Sequence, residues 1–461
     1  MTRPAHDHEV RSEQVLARQL SAPQQIMMAL GGAIGTGLFL ASGLAVNVAG
    51  PAVILSYAIV AVVALLLGAA LTEMAVAHPT AGAFGVYAGM YVSPFAGYAV
   101  RVSYWLMEVI ATGGQLVAAS IYMGYWLPAV PGALWVLVFA VALIYVNSRE
   151  VGELGAVEYW LVMIKVVAIV LFVALGVLVL AGVTGGPAIG LANVTNQGGF
   201  MPFGLTGVWL ACCFVIYSFI GVEIVGVTSG EASDPARSIP RAMRRMVAGL
   251  SLIYIVTATL LIALTPWNQL GIGESPFVSV LRRMAIPGAA GVMNAVVLLA
   301  ALSSANANFY LIARTLFSLA RAGFVPQRLG AVSARGAPVA ALLVSSAGLG
   351  VAVLVRAFWP QSAYVWFFGA ALFGALFVWL MIFVTHIAFR APSVPIASYV
   401  GAALIAAMLV STWWVPDLRS TVVAGGPWML LLAIGYRVSS ARRRVAENVQ
   451  RRSPVSNSTG P

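Results

Sequence analysis

The sequence predicts an all-α membrane protein of twelve transmembrane helices, and three observations carry that prediction. Of its residues, 61% are hydrophobic and only 8% charged, with mean hydropathy +0.95, a balance that a soluble domain of this size does not show. Apolar runs of roughly 20 residues, the length that crosses a bilayer core, recur along the chain. Two runs are interrupted by glycines, Gly31–Gly37 (GGAIGTG) in the first and Ser218–Gly226 (SFIGVEIVG) in the sixth. Backbone deep in lipid must satisfy its own hydrogen bonds, so such interruptions are tolerated where unwound chain lines a cavity. Close packing of small residues explains either run alone. The pair, five spans apart and with Glu223 inside the second, points to an inverted-repeat transporter whose solute lies between the broken helices.

The spans are expected at 24–46, 51–77, 97–127, 133–148, 156–182, 206–231, 240–265, 288–322, 337–356, 362–389, 396–414 and 422–438. Turn signals separate them at Ala49-Gly50-Pro51, Pro128–Gly132, Gly185-Gly186-Pro187 and Gly425-Gly426-Pro427. The first span follows a polar tail and reads as retained, because no small-residue cleavage site follows it. With the amino terminus inside, 20 arginines fall in cytoplasmic segments, from Arg3 through Arg101 to the tail after Tyr436. Only Arg282, Arg283, Arg356 and Arg419 fall outside. The positive-inside rule therefore places both termini in the cytoplasm of a cell whose inner membrane holds the protein. Spans one to five and six to ten then run in opposite directions, as an inverted repeat requires. The basic tail, 439–461, reads as disordered. The net charge of +11 is explained by this topology rather than by nucleic acid, since no basic stripe with interleaved aromatics exists.

The chemistry is expected at the two breaks. Unwinding around Ala33, Ile34, Gly35, Thr36 and Gly37 would free N–H groups at a helix start, donors suited to a carboxylate. Carbonyls near Phe219, Ile220 and Gly221 would suit an ammonium, and opposed donor and acceptor ends match a zwitterion, hence an α-amino acid. Lys165, the only lysine, stands in WLVMIKVVAIVLFV, where a buried ammonium suits a proton carrier; snorkelling or packing is the bland alternative. Glu158, seven residues earlier, is too far for a direct pair and is expected at the inner interface. Glu223 could shuttle protons or tie the broken helix by accepting backbone hydrogen bonds. Tyr217 and Phe219 could gate the solute. Glu108 and Gln115 share one face of span three, so Gln115 could bond a solute side chain and Glu108 adds a second intramembrane acid. Ser303, Ser304, Asn306 and Asn308 put polar groups in span eight, explained equally by interhelical bonding or substrate contact. Glu73 reads as an interfacial charge. Cys212 and Cys213 read as small buried residues rather than as a disulfide or metal site.

At these residues the chain closely resembles the amino acid–polyamine–organocation transporters, in their bacterial amino acid permease branch, over nearly its whole length. GGAIGTGLFLASG resembles the family's carboxylate motif, and SFIGVEIVGVTSGEASDPARSIPRAM its sixth span and following loop. EYWLVMIKVVAIV resembles its fifth span and ALSSANANFYLIARTLFSLARAGFVP its eighth. The resemblance implies a LeuT-like core of two inverted five-helix repeats over 24–389, with discontinuous helices 1 and 6, and two added helices over 396–438. It implies alternating access, with Lys165 where proton-coupled relatives put a lysine in a sodium site. It puts Tyr217, Ile220 and Glu223 at a gating aromatic, a cavity wall and a coupling glutamate. One departure stands out: many members carry an acid where this chain has Gln115, which makes cationic substrates less expected and neutral ones more so.

The expected function is proton-coupled import of neutral, apolar or aromatic amino acids, with exchange lacking net proton flux as its variant. No cofactor, metal or nucleic acid is expected; the partners are an amino acid, protons and the bilayer. An intramembrane enzyme would need a nucleophile–base or metal constellation. His6, His8, His78 and His386 do not supply one, and no HExxH or GxSxG is present. A channel would need a charged ring or filter, and a ligand sensor a signalling domain.

Overall fold

The computed structural model describes residues 30–80, 82–148, 154–183, 192–227, 229, 234–271, 273–331 and 339–452. The expected tail 1–23, the turn at Gly185–Pro187 and the side chain of Glu158 lie outside the described residues. Among those described there is no strand. Nine helical stretches are long and apolar enough to cross a membrane, and Gly132–Asn147 and Gly204–Ser218 are shorter apolar helices. The first of the nine, Leu30–Ala77, is not one rod. Residues 30–33 are helical, the chain bends at Ile34 and Gly35, and a π-turn spans Gly37–Ala41 before α1 (Ser42–Ala49). After a turn at Gly50–Ala52 the chain enters α2 (Val53–Ala77).

Next comes the helix that organises the bundle. A short helix, α3 (Ala83–Tyr91), precedes α4 (Pro94–Met123), which starts where Ser93 accepts the Ala96 N–H at 3.1 Å and Pro94 takes the first turn. The next helices are α5 (Gly132–Asn147), α6 (Leu154–Leu180) and α7 (Gly204–Ser218). Beyond the interruption at 219–223 come α8 (Ile224–Val227) and α9 (Pro235–Leu264). The short α10 (Pro276–Arg283) leads into α11 (Ala289–Arg321). The chain closes with α12 (Val339–Phe358), α13 (Ala363–Arg390), α14 (Ile396–Ser411) and α15 (Arg419–Arg452). Both α11 and α13 pack along α4, and α9 packs along α2. Of the buried polar side chains on α4, Gln115 meets Ser304 of α11, Ser120 meets Arg356 of α12 and Ser103 meets Trp428 of α15. By contrast α6 shows Trp160, Val170 and Leu171 at 67%, 59% and 63% exposure, an apolar face too extensive for water.

Three expectations change. Arg101, counted among the cytoplasmic charges near the start of span three, is inside α4, buried, with its stem against Gly85 of α3. The tail read as disordered from 439 continues as helix to Arg452. Glu73 keeps its peripheral place but is bound, accepting from His386 Nε2 at 2.9 Å and Arg390 Nε at 3.2 Å on α13. At its exposure the pair is worth at most about 1 kcal/mol.

The two interruptions lie side by side. A Cβ on Gly37 would stand 2.8 Å from the Ser218 Cα, so only glycine permits this backbone approach. Gly221 has φ +108°, a conformation closed to L side chains, and abuts Ala33. One buried hydroxyl joins both stretches: Tyr254 OH of α9 lies 2.7 Å from the Ser218 carbonyl and 3.2 Å from the Ala33 carbonyl. The ring is held edge-on by Phe219 at 5.0 Å. Gly37→Ala should overpack this contact and cost about 1–3 kcal/mol, read as a lowered unfolding midpoint in detergent. Tyr254→Phe should cost about 0.5–2 kcal/mol by the same measurement, because the carbonyls lose a donor without any change of volume. An unchanged midpoint in both variants would show that the two stretches do not depend on each other.

Candidate functional site

A helix end in a dry interior leaves carbonyls without partners, and those of the first interruption are met by side chains from four other helices. Lys165 Nζ, on α6, donates to the Gly31 carbonyl at 2.9 Å. Ser304 Oγ, on α11, donates to Gly32 at 2.8 Å. The Ala33 carbonyl accepts from the Gly35 N–H at 3.1 Å with the Tyr254 hydroxyl of α9 also 3.2 Å away, and Tyr364 OH, on α13, reaches the Thr36 carbonyl at 3.3 Å. Lys165 is 1% exposed, and its cation sits where a helix terminus is negative. The lysine is therefore neither snorkelling nor merely packed; it holds the end of the first half-helix.

The second interruption is met differently. Glu223 folds back so that Oε1 and Oε2 each lie 3.1 Å from the Gly221 N–H, while Trp379 Nε1 of α13 donates to Oε2 at 3.2 Å. Of the two readings open for Glu223, this geometry favours the tie. The Phe219 carbonyl, expected to be free for an ammonium, accepts from Val222 N–H at 3.2 Å within the turn. The Phe219 ring is fully buried against Tyr254 rather than facing a solute.

Between the interruptions lies a narrow cleft. Ala33, Gly35, Thr36, Gly37, Glu108, Gln115, Tyr217, Ile220 and Gly221 all border it, so the sequence-predicted residues of three separate segments meet in one place. Ile34 and Phe219 are buried behind the lining, and Lys165 and Glu223 hold the two breaks from outside it. Gly32, Ala111, Ser304 and Asn308 border it as well. Ser304 and Asn308 had a signal in the polar run of span eight; Ala111 had none, being one small residue among many. Tyr254, Tyr364 and Trp379, which act on the breaks from a distance in sequence, carried no signal either. Tyr217 stacks at 4.3 Å on Phe368, which Tyr364 also approaches, so one wall is backed by aromatics.

Such an arrangement offers a small solute glycine backbone and the Thr36 hydroxyl at the first break, with Gln115 and Glu108 of α4 on the same lining. Comparison with known proteins agrees. The family model described as "Amino acid permease" matches residues 24–446. The chain is 37% identical over 442 residues to "Uncharacterized amino acid permease YtnA" of Bacillus subtilis (strain 168), covering 92% of this chain and 96% of that protein. It is 35% identical over 423 residues to "Aromatic amino acid transport protein AroP" of Escherichia coli (strain K12), covering 89% and 93%. The AroP of Salmonella typhimurium (strain SL1344) is 34% identical over 443 residues, covering 93% and 97%. These relatives are transporters and not enzymes. The chain is thus a multi-pass membrane protein that belongs to the amino acid permease family, within the amino acid–polyamine–organocation superfamily.

Proposed function

We propose that this protein imports neutral amino acids, aromatic or large apolar ones, coupled to protons, by alternating access around the cleft. The observation that carries the reading is the meeting of the two interrupted helices at one cavity whose lining offers Thr36, glycine backbone and Gln115. A carboxylate suits the first break and an ammonium suits the oxygens facing it. The aromatic backing of Tyr217 by Phe368, with the aromatic amino acid named in the AroP relatives, supports the substrate class. Within this reading the chain has twelve spans, ten of them in two inverted five-helix repeats, with both termini cytoplasmic.

Lys165 is the coupling group. Its ammonium is fully buried on the Gly31 carbonyl, so losing its proton weakens the grip on the first half-helix and alters the balance between the two access states. Glu223 is a poorer carrier, since its oxygens are already engaged by Gly221 and Trp379. Glu108, in the lining, is the second titratable group that protons can reach from the cleft.

Reconstituted protein should take up labelled phenylalanine or leucine faster, by at least about threefold, when the outside is one to two pH units more acidic; coupling to a tenfold proton gradient provides about 1.4 kcal/mol. Uptake that ignores the gradient but needs internal amino acid would establish exchange instead. Lys165→Ala should keep measurable substrate binding by thermal shift while the pH response of uptake flattens. A variant with the wild-type pH profile would return Lys165 to a purely structural part.

A further inference from the structure

We infer that Arg241, Arg244 and Arg245 of α9 form a binding surface for the headgroup of an anionic phospholipid in the cytoplasmic leaflet. The leaflet follows from the proposed topology; the surface itself stands on the fold alone. Residues three and four apart share one face of a helix. Between Arg237 and Leu252 the exposed residues of α9 are Arg237, Arg241, Arg244, Arg245, Ala248 and Leu252, all on one such face. The opposite face, with Met243, Met246 and Leu250, is buried. Cations therefore occupy the first turns of the stripe, and apolar side chains continue it, Leu252 at 66% exposure. A Cβ on Gly249 would meet nothing within 4 Å, so the surface above the arginines is open. Headgroup below and acyl chain above is the outline of a lipid.

Depth decides the partner. Two contacts fix how α9 lies along α2: the rings of Tyr254 and Tyr57 are 6.0 Å apart, and Met243 abuts Gly68. The helices are thus antiparallel, and the three arginines stand opposite residues 66–70 of α2. Over that same height the exposed face of α2 changes character, from Leu65 at 46% exposure to Glu73, about 12 Å nearer the helix end. The arginines straddle the seam between hydrocarbon and headgroups. The positive-inside rule asks only that arginine lie on the cytoplasmic side, not that three share one face at this height. Among the described residues, the acid beside the stripe is Asp234, 4.0 Å from Arg237, and none pairs with Arg241, Arg244 or Arg245. Arg244 donates its Nε N–H to the Pro240 carbonyl at 3.2 Å. A guanidinium presents a planar fork that matches phosphate oxygens. Each arginine beside an anionic headgroup raises affinity about fivefold, and three together about 100-fold.

The test is titration of purified full-length protein, in a neutral detergent, with phosphatidylglycerol or phosphatidylcholine, following the unfolding midpoint and counting bound lipid by native mass spectrometry. The wild type should bind phosphatidylglycerol at least about 10-fold more tightly, and raising the salt from about 0.1 to about 0.5 M should erode that preference. The triple variant Arg241→Gln, Arg244→Gln, Arg245→Gln should lose the preference. The matching triple lysine variant, which keeps the charges, should retain most of it and guards against a folding defect. Arg328→Gln with Arg437→Gln, exposed arginines elsewhere on the same side, should leave it unchanged. Glycerophosphoglycerol, the headgroup without its chains, should bind at least about 10-fold more weakly than the lipid, since it forgoes the apolar part of the stripe. A triple glutamine variant with the wild-type preference overturns the inference, as does a preference indifferent to salt. An equal loss in the Arg328 and Arg437 variant also overturns it, by reducing the stripe to a signal of topology. Equal binding of glycerophosphoglycerol overturns the lipid in favour of a soluble phosphate. None of these results touches the amino acid reading of the cleft, which is tested by amino acid binding and uptake.

Discussion

Everything about this structure depends on one constraint: two stretches of main chain, buried at the level where helices should be continuous, cannot be left without hydrogen-bond partners. The fold meets it with side chains brought from far along the chain. Lys165, Ser304, Tyr254 and Tyr364 serve four successive needs at the first break. Glu223 serves the second, with Trp379 behind it. A cavity results because the chain is unwound there and satisfied from outside, leaving the inner side of both breaks open to a solute.

That division of labour separates the charged groups by what they already hold. Lys165 and Glu223 are engaged with backbone, so any change in their protonation acts on the shape of the broken helices rather than directly on a solute. Glu108, by contrast, borders the cleft itself. Tyr254 links the two breaks to each other, so α7 and the first half-helix are expected to move as one piece.

Much of the fold was legible in the chain because the bilayer permits so few solutions. Apolar length located the helices: the run expected at 288–322 is Ala289–Arg321, and that at 362–389 is Ala363–Arg390. Glycine runs located both interruptions. Where the pattern misled, a local rule yielded to a tertiary one. Arginine near the start of a span reads as a cytoplasmic charge, yet Arg101 is enclosed because α3 packs against its stem. Phe219 beside a break reads as a gate, yet its ring packs on Tyr254 and its carbonyl closes a turn. The polar tail reads as uncovered chain, yet helix runs on to Arg452.

The sequence by itself determined that this is a polytopic helical protein, where its two helices break, and which acids and which lysine lie buried in apolar surroundings. Those are properties of composition and local pattern, set by the cost of polar groups in lipid. The tertiary structure alone decided which of these groups are already occupied. That Lys165 reaches the Gly31 carbonyl and Trp379 reaches Glu223 depends on partners more than a hundred residues away. No pattern along a single helix records contacts made across the bundle.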